Sequence, residues 1–198
     1  MRKKPLLLLV FASLSASIGY VQANEHVTQS ESQFYVGADL DFAGTAKMSD
    51  EDASLKDTSD IGFSIVTGYE FNVDFNDLVK PSLELEYRNF GDASFSTLSM
   101  DSYGVFVNAK AKLFVLRDYG NIYFAPMVGI GHVSIDMKES ISKLSASESD
   151  IGLQAGLEIG TRLKNNIDLN VGYRAAFIDI DSVDFRLDGF YVGARYAF

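Results

Sequence analysis

The chain has 198 residues, with 17 Lys and Arg against 27 Asp and Glu and a net charge of −10. Such an acidic chain argues against nucleic-acid binding through a basic face, so we expect no nucleic-acid partner. It contains no cysteine, which excludes a disulfide scaffold, a thiolate metal site and a lipid-modified N-terminal cysteine.

The N-terminus has the pattern of a secretory signal peptide. Residues 2–4 are basic, residues 6–18 form an apolar run interrupted by serines, and residues 21–23 form a small-residue cleavage site. The run is too short and too interrupted for a comfortable spanning helix, which disfavours the alternative of a retained anchor. We predict cleavage after Ala23, a polar periplasmic tail at residues 24–32 and one domain at residues 33–198.

Period-two alternation dominates the rest of the chain and indicates strands. One face of each segment is apolar and uncharged, whereas the opposite face carries glycines and a nearly balanced set of acids and bases. No later stretch approaches the ~20 apolar residues that a transmembrane helix needs. The eight alternating segments are 34–42, 61–71, 83–89, 103–115, 122–130, 151–159, 167–177 and 190–198.

Two kinds of eight-stranded barrel fit this alternation. In a soluble, lipocalin-like barrel the apolar face points inward, and in a transmembrane barrel it points to lipid. A narrow interior needs glycines for space and a partner for every buried charge, whereas a soluble exterior needs neither. The sequence therefore predicts an all-β fold, an eight-stranded antiparallel up-and-down transmembrane β-barrel, with the soluble barrel as the alternative.

The connections between the segments are long on one side and mostly short on the other, which is typical of bacterial outer-membrane barrels. We expect the long connections to be acidic, solvated extracellular loops, and we predict no metal site and no cofactor. Pro126 lies within the fifth segment and predicts a bulge or a distorted ladder. The outer connections are 43–60, 91–101, 134–149 and 178–188, and the inner ones are 72–80, 116–121 and 163–166.

The signal-peptide pattern, the eight segments, APMVGIGHV at Ala125–Val133 and the alternating C-terminal segment together resemble the small outer-membrane β-barrels of Gram-negative bacteria. This group includes OmpX-type proteins and the barrel half of OmpA-type proteins. The resemblance covers residues 33–198 and implies a monomer in the cell outer membrane, in contact with outer-membrane lipid and lipopolysaccharide. In this family a C-terminal aromatic strand is recognised by the barrel assembly machinery. The resemblance implies that role for Phe190, Val192, Ala194, Tyr196 and Phe198.

The inward charges form the first candidate site. If the third and fourth strands pair so that the numbers of opposite residues sum to about 194, Glu84 lies opposite Lys110, and Glu86 lies diagonal to Lys110 and Lys112. If the last strand pairs with the first with a sum near 232, Arg195 lies diagonal to Asp39. Because eight-stranded interiors are just wide enough for side chains to fill them, a plugged, paired core is favoured over an ion pathway. The predicted interior network is Asp39, Glu84, Glu86, Lys110, Lys112, Glu158, Arg174 and Arg195, with Glu158 and Arg174 as diagonal neighbours.

A second candidate site is His132 with Ser134, because this pair resembles the His-x-Ser pair of outer-membrane lipid A deacylases. Glu139 or Glu148 could orient the imidazole as the third member of such a site. The asparagine that follows the serine in that family is Ile135 here, which weakens the resemblance.

These observations favour a non-enzymatic outer-membrane barrel with acidic extracellular loops, acting in envelope integrity, surface interaction or adhesion. A lipid A deacylase-like hydrolase and a small channel are the alternatives.

Overall fold

The computed structural model describes residues 32–49, 54–72, 78–95, 98–116, 121–139, 145–180 and 183–198. The predicted signal peptide and nearly all of the predicted tail lie outside the described residues. No helix in this described part is long and apolar enough to cross a membrane. The strands are β1 (Gln33–Ser49), β2 (Ser54–Ser59), β3 (Gly62–Glu70), β4 (Val79–Asn89), β5 (Ala93–Phe95), β6 (Leu98–Leu116), β7 (Ile122–Glu139), β8 (Ser145–Arg162), β9 (Ile167–Ile180) and β10 (Val183–Ala197).

Eight of these strands form a closed antiparallel ring in the order β1, β3, β4, β6, β7, β8, β9, β10. β10 pairs with β1 to close the ring, and Val36 lies opposite Tyr196 at this seam. Closure gives partners to backbone groups that an open sheet would leave exposed at its edges. The predicted all-β, eight-stranded up-and-down fold is confirmed.

The short strands β2 and β5 continue β3 and β4 at one end of the ring, which we call the outer end. β2 pairs with β1, as β3 does, and β5 pairs with β6, as β4 does. The break between β4 and β5 contains Gly91, whose φ of +77° is a conformation that side chains disfavour. A Cβ there would also lie 2.4 Å from the carbonyl oxygen of Asp60. The ring therefore stays eight strands wide across these breaks.

A band of apolar side chains covers the outside of the ring. In β10, Val192 and Tyr196 are 43% and 48% exposed, whereas Arg195 between them is 2% exposed. Aromatic pairs lie at both margins of the band. Phe34 packs against Tyr69 with ring centroids 4.7 Å apart at the inner end, and Phe42 stacks on Phe190 at 6.3 Å towards the outer end. The orientation is that of a barrel with lipid outside and charges inside.

The predicted loops at residues 43–60, 91–101, 134–149 and 178–188 are wrong over most of their length, because strands run through them. Alternation continues beyond the apolar band, but the two faces exchange character. In β10, Phe185 and Leu187 are buried inside the ring, while Arg186 faces outward. An interior above the membrane is shielded from water and an exterior is not, so the outer end follows the pattern of a water-soluble barrel.

The outer end is filled by a buried apolar cluster. Its larger members include Phe90, which meets Phe106 edge-on with ring centroids 6.3 Å apart. The cluster closes the lumen above the charged interior. Its buried members are Ala46, Phe90, Ala93, Met100, Phe106, Val133, Ile135, Ala176, Ile178, Ile180, Phe185 and Leu187.

Pro126 disturbs one of its two ladders. On the β8 side it lies opposite Leu157 in an unbroken register. On the β6 side pairing stops after Lys110–Met127 and resumes at Leu113–Phe124 in the same register. The register shift lies elsewhere, between Phe114 and Leu116. The ladder is thus interrupted at the proline, as predicted, but without a bulge there.

Phe106→Ala should lower the free energy of unfolding by about 3–5 kcal/mol, because it removes a fully buried ring from this cluster. Urea unfolding in detergent micelles measures the change. Phe63→Ala is the matched control, since Phe63 lies on the exposed apolar band and its loss should cost less. Equal shifts for the two variants would mean that the outer cluster is not a packed core.

Candidate functional site

Among the described residues, the interior of the ring holds seven acidic and seven basic side chains, of which all but Arg162 are nearly or fully buried. They form three layers, which we call inner, middle and outer. The acids are Asp39, Asp41, Glu70, Glu84, Glu86, Glu158 and Asp168, and the bases are Lys80, Arg88, Lys110, Lys112, Arg162, Arg174 and Arg195.

The inner layer joins three bases to two acids near the strand ends. Arg162 donates two hydrogen bonds of 2.8 Å to the Glu70 carboxylate and further bonds to Asp168. The Lys112 ammonium lies 2.9 Å from Glu70 and 2.5 Å from Asp168. Lys80 lies 3.7 Å from Glu70. Each carboxylate therefore serves at least two cations, so the layer is a network and not a set of isolated pairs.

The middle layer is centred on Lys110 and Glu158. The Lys110 ammonium lies 3.2 Å from Glu84 and 3.1 Å from Glu158. Arg195 approaches the same two carboxylates at 3.6 and 3.5 Å. Tyrosine hydroxyls complete the layer: Tyr35 donates to Glu84, and Tyr123 and Tyr191 donate to Glu158, at 2.9–3.0 Å.

The outer layer is centred on Arg174. Its guanidinium donates to Asp39 at 3.2 Å, to Asp41 at 2.7 Å and to Glu86 at 2.5 Å. A further short hydrogen bond runs from Arg174 to Ser64. Arg195 bonds to Asp39 at 2.8 Å, which links this layer to the middle one. The other members are Arg88, Asn108 and Gln154, which bond to Asp41 or Glu86.

Inward-facing glycines make room for these side chains. A Cβ at Gly160 would lie 2.4 Å from the Tyr123 ring, and one at Gly172 would lie 2.5 Å from the Tyr191 ring. Each tyrosine ring therefore lies over the glycine that faces it on the neighbouring strand. The space that a pore would need is occupied by side chains.

All eight interior residues predicted from the sequence lie in this network, but some predicted partners are wrong. The β4–β6 register sums to 192, so Glu84 lies opposite Asn108 and Lys110 lies opposite Ser82. Lys110 still reaches Glu84 diagonally. Glu86 bonds to Arg174 instead of to the lysines. A shift of two residues preserves which face a side chain occupies but changes its neighbours.

The remaining predicted pairs have mixed outcomes. Asp39 and Arg195 are diagonal across the closing seam and form an ion pair of 2.8 Å. Glu158 and Arg174 are diagonal in the β8–β9 register, yet each pairs with residues of other strands across the lumen. The sequence prediction does not include the three tyrosines of the middle layer. The feature that could identify them is an aromatic residue among the polar, inward-facing positions of a strand, as at Tyr35, Tyr123 and Tyr191.

The second candidate site does not assemble. His132 and Ser134 lie on the outward face of β7, two positions apart and so separated by roughly 6–7 Å along the strand, which is too far for a nucleophile–base hydrogen bond. Glu139 lies seven residues from His132 in the same strand, roughly 23 Å away. Glu148 pairs with Ile135, whose side chain faces inward. It is therefore on the other side of the sheet from Ser134. Neither acid is placed to orient the imidazole.

An exposed polar cluster lies at the outer end of β6 and β7. Lys138 donates a hydrogen bond of 2.7 Å to Asp101, which lowers the pKa of Asp101 below its usual value. The hydrogen bond between Asp92 and Asp101 raises the pKa of Asp92. Lys138 is therefore neutralised by its own neighbours. Among the described residues, no group of three or more His, Cys, Asp or Glu is arranged to hold a metal ion.

The terminal residues form a continuous part of the ring. The predicted assembly residues occupy the outward face of β10 and its end, and the Phe198 amide donates to the Phe34 carbonyl at 2.9 Å. Their recognition during assembly stays a prediction. These residues are Phe190, Val192, Ala194, Tyr196 and Phe198.

Comparisons with known proteins agree with this geometry. A family profile described as "Outer membrane protein beta-barrel domain" matches residues 6–198. No curated protein matches the chain. Similar solved structures include Ail, the attachment invasion locus protein of Yersinia pestis, with a TM-score of 0.55, 16% identity and coverage of 85% of this chain and 100% of that chain. Neisserial surface protein A has a TM-score of 0.53, 19% identity and coverage of 83% and 97%. The outer membrane protease OmpT of Escherichia coli has a TM-score of 0.50, 6% identity and coverage of 84% and 97%.

Lys110→Ala should destabilise the barrel by about 3–5 kcal/mol, because it leaves Glu84 and Glu158 buried with less compensating charge. The urea midpoint in detergent micelles measures this. Lys138→Ala, which breaks an exposed pair with Asp101, is the control and should leave the urea midpoint nearly unchanged, because solvent screens an exposed ion pair. An unchanged midpoint for Lys110→Ala would contradict the network.

Proposed function

Because the chain belongs to the outer membrane protein β-barrel family and lies in the outer membrane, we propose that it is a non-enzymatic barrel that acts in surface interaction or adhesion. The observation that carries this proposal is a sheet that projects from the outer end with an open edge. A contribution to envelope integrity is part of the same proposal, because a stable barrel with a filled lumen adds protein to the membrane without adding a pore.

The projecting sheet consists of the outer parts of β6, β7 and β8. β7 pairs with β6 as far as Leu98–Glu139 and with β8 as far as Lys138–Ser145. β9, by contrast, pairs with β8 only up to Gly152–Ile178. Residues 145–151 of β8 therefore have no strand partner on their second side within the described part of the chain. Such an edge offers backbone groups to an extended segment of another protein.

The filled lumen supports a surface role over a channel. Seven acids and seven bases occupy the middle of the ring, and the apolar cluster lies above them. An ion entering would have to displace paired charges and then cross a layer of buried apolar side chains, and both steps are costly.

The enzyme alternative rests on His132 and Ser134, which do not form a catalytic group with the candidate acids. Both face outward, and neither Glu139 nor Glu148 is placed to orient the imidazole. The fold alone does not decide the question, because OmpT, a protease, shares it. We therefore base the non-enzymatic assignment on the separation of these residues along β7.

Shortening the projecting hairpin should abolish adhesion. Ile135 and Glu148 lie directly opposite each other, so replacing residues 136–147 with Asn-Gly joins them by a two-residue hairpin turn. Bacteria displaying this variant should adhere to cultured epithelial cells no better than bacteria carrying an empty vector. The wild-type chain should raise adherence several-fold.

The matched control alters another outer connection, the one between β9 and β10. Ile180 lies opposite Val183, so replacing Asp181-Ser182 with Asn-Gly changes an outer turn but leaves the open edge of β8 intact. This variant should adhere like the wild type. Wild-type adherence by the shortened variant would refute the assignment of adhesion to the projecting sheet.

The two alternatives give distinct readouts. Mass spectrometry of lipid A should show the same acylation in cells with and without the chain, and Ser134→Ala should change nothing. Planar bilayers containing the purified barrel should show no conductance steps. Deacylated lipid A that disappears with Ser134→Ala would establish the hydrolase, and regular steps would establish the channel.

A further inference from the structure

Three basic side chains lie side by side on the outward face of the closing seam. Lys47 of β1 lies directly opposite Lys56 of β2 on one side and Arg186 of β10 on the other. Like charges directly opposite each other in a sheet destabilise it. The arrangement is unexpected in a chain with a net charge of −10, and it indicates an anionic ligand.

Within the described part of the chain, the arginine of this row is paired and the two lysines are not. Arg186 is held by Asp188 at 2.8 Å and by the Tyr173 hydroxyl at 3.0 Å. Neither Lys47 nor Lys56 forms a salt bridge with any residue that the structure describes, and both are exposed. By contrast, the exposed Lys138 on the far side of the ring is paired with Asp101.

Hydroxyl groups flank the lysines on the side towards the membrane. Thr45 lies opposite Thr58 in the β1–β2 ladder, two positions below Lys47 and Lys56. Two ammonium groups with adjacent hydroxyl donors match the oxygens of a phosphate group. Asp188, opposite Thr45, is occupied by Arg186 and limits the site to the β1–β2 side of the row.

The height of the row indicates where the phosphate comes from. Arg186 lies four residues beyond Phe190 in β10, roughly 13 Å along the strand. Phe190 and Phe42 belong to the aromatic margin of the apolar band. Aromatic side chains mark the membrane interface, so the lysines lie at the level of the outer-leaflet headgroups.

An apolar groove lies below the row on the same seam. It has a volume of about 380 Å³ and runs over β1, β3 and β10. Ala38 and Ala194 lie opposite each other at its floor, between bulkier side chains such as Leu40, Ile65 and Val192. A groove of this kind on a lipid-facing surface fits an acyl chain.

We propose that this seam binds a phosphate-bearing lipid of the outer leaflet, with a phosphate against Lys47 and Lys56 and an acyl chain in the groove over Ala38 and Ala194. The phosphate site and the groove share β1, so a single lipid lying along this strand would occupy both. This site is separate from the projecting sheet, so it extends the proposed function without depending on it.

Native mass spectrometry of the folded full barrel in detergent, titrated with diphosphoryl lipid A, tests the proposal. Lys47→Gln with Lys56→Gln should weaken binding roughly 25-fold, because each lysine near an anionic surface contributes about fivefold. Ala194→Leu, which fills the groove, should also weaken binding. The matched controls are Lys138→Gln and Ala109→Leu, an exposed alanine of β6 outside the groove, and both should bind like the wild type.

Several results would overturn the proposal. They are unchanged binding by the lysine variant, an equal loss in Lys138→Gln, and equal effects of Ala194→Leu and Ala109→Leu. Full displacement of the lipid by inorganic phosphate would indicate a site for free phosphate instead. Lys47→Arg with Lys56→Arg should keep the binding, and a heat-dependent shift in SDS gels verifies that each variant is folded. Because purified protein is used, failure here would leave the adhesion result untouched.

Discussion

Electrostatic neutrality inside a narrow barrel is the constraint on which the rest of this structure depends. Seven carboxylates and seven cations lie where water is largely excluded. A buried charge without a partner costs several kcal/mol, so one sign cannot accumulate. Arg174 alone bonds to Asp39, Asp41 and Glu86, which come from two other strands. The network therefore favours one strand order and register over alternatives that would leave charges unpaired.

The membrane divides the barrel into two regions with opposite side-chain patterns. Within the apolar band, hydrocarbon faces outward and charges face inward. Beyond Phe42 and Phe190 the outside is wet, so Phe185 and Leu187 turn inward and Arg186 turns outward. The strands do not change direction or parity for this exchange. The same strands thus form a membrane-spanning barrel at one end and a barrel of the water-soluble type at the other.

This exchange explains what the sequence reveals and what it hides. The uncharged face of segments such as 190–198 predicts the strands of the ring and the side that meets lipid, because hydrocarbon tolerates no exposed charge. The opposite side must then face the interior, which predicts the burial of Arg195. The outer strands were missed because Ile178-Asp179-Ile180 alternates with reversed polarity and resembles a charged loop. Partners such as Glu86 with Arg174 depend on contacts across the lumen. Strand periodicity fixes the face of a residue but carries no information about what meets it across the barrel.

A lumen filled by charge pairs and an apolar cluster supports the proposal that this barrel interacts through its outer surface. That surface offers the backbone edge of residues 145–151, which have no strand partner on one side among the described residues, and Lys47 and Lys56, which form no salt bridge with any described residue. Both are costly for an isolated chain, the first through exposed backbone groups and the second through like-charge repulsion. Inside the ring the charged side chains compensate one another, although the amide of Asn170 and the hydroxyls of Ser82 and Ser102 have no hydrogen-bond partner among the described residues. The accessible edge and the exposed lysines are the physical reason to propose a function at the exterior, with the seam facing lipid and the projecting sheet facing other molecules at the cell surface.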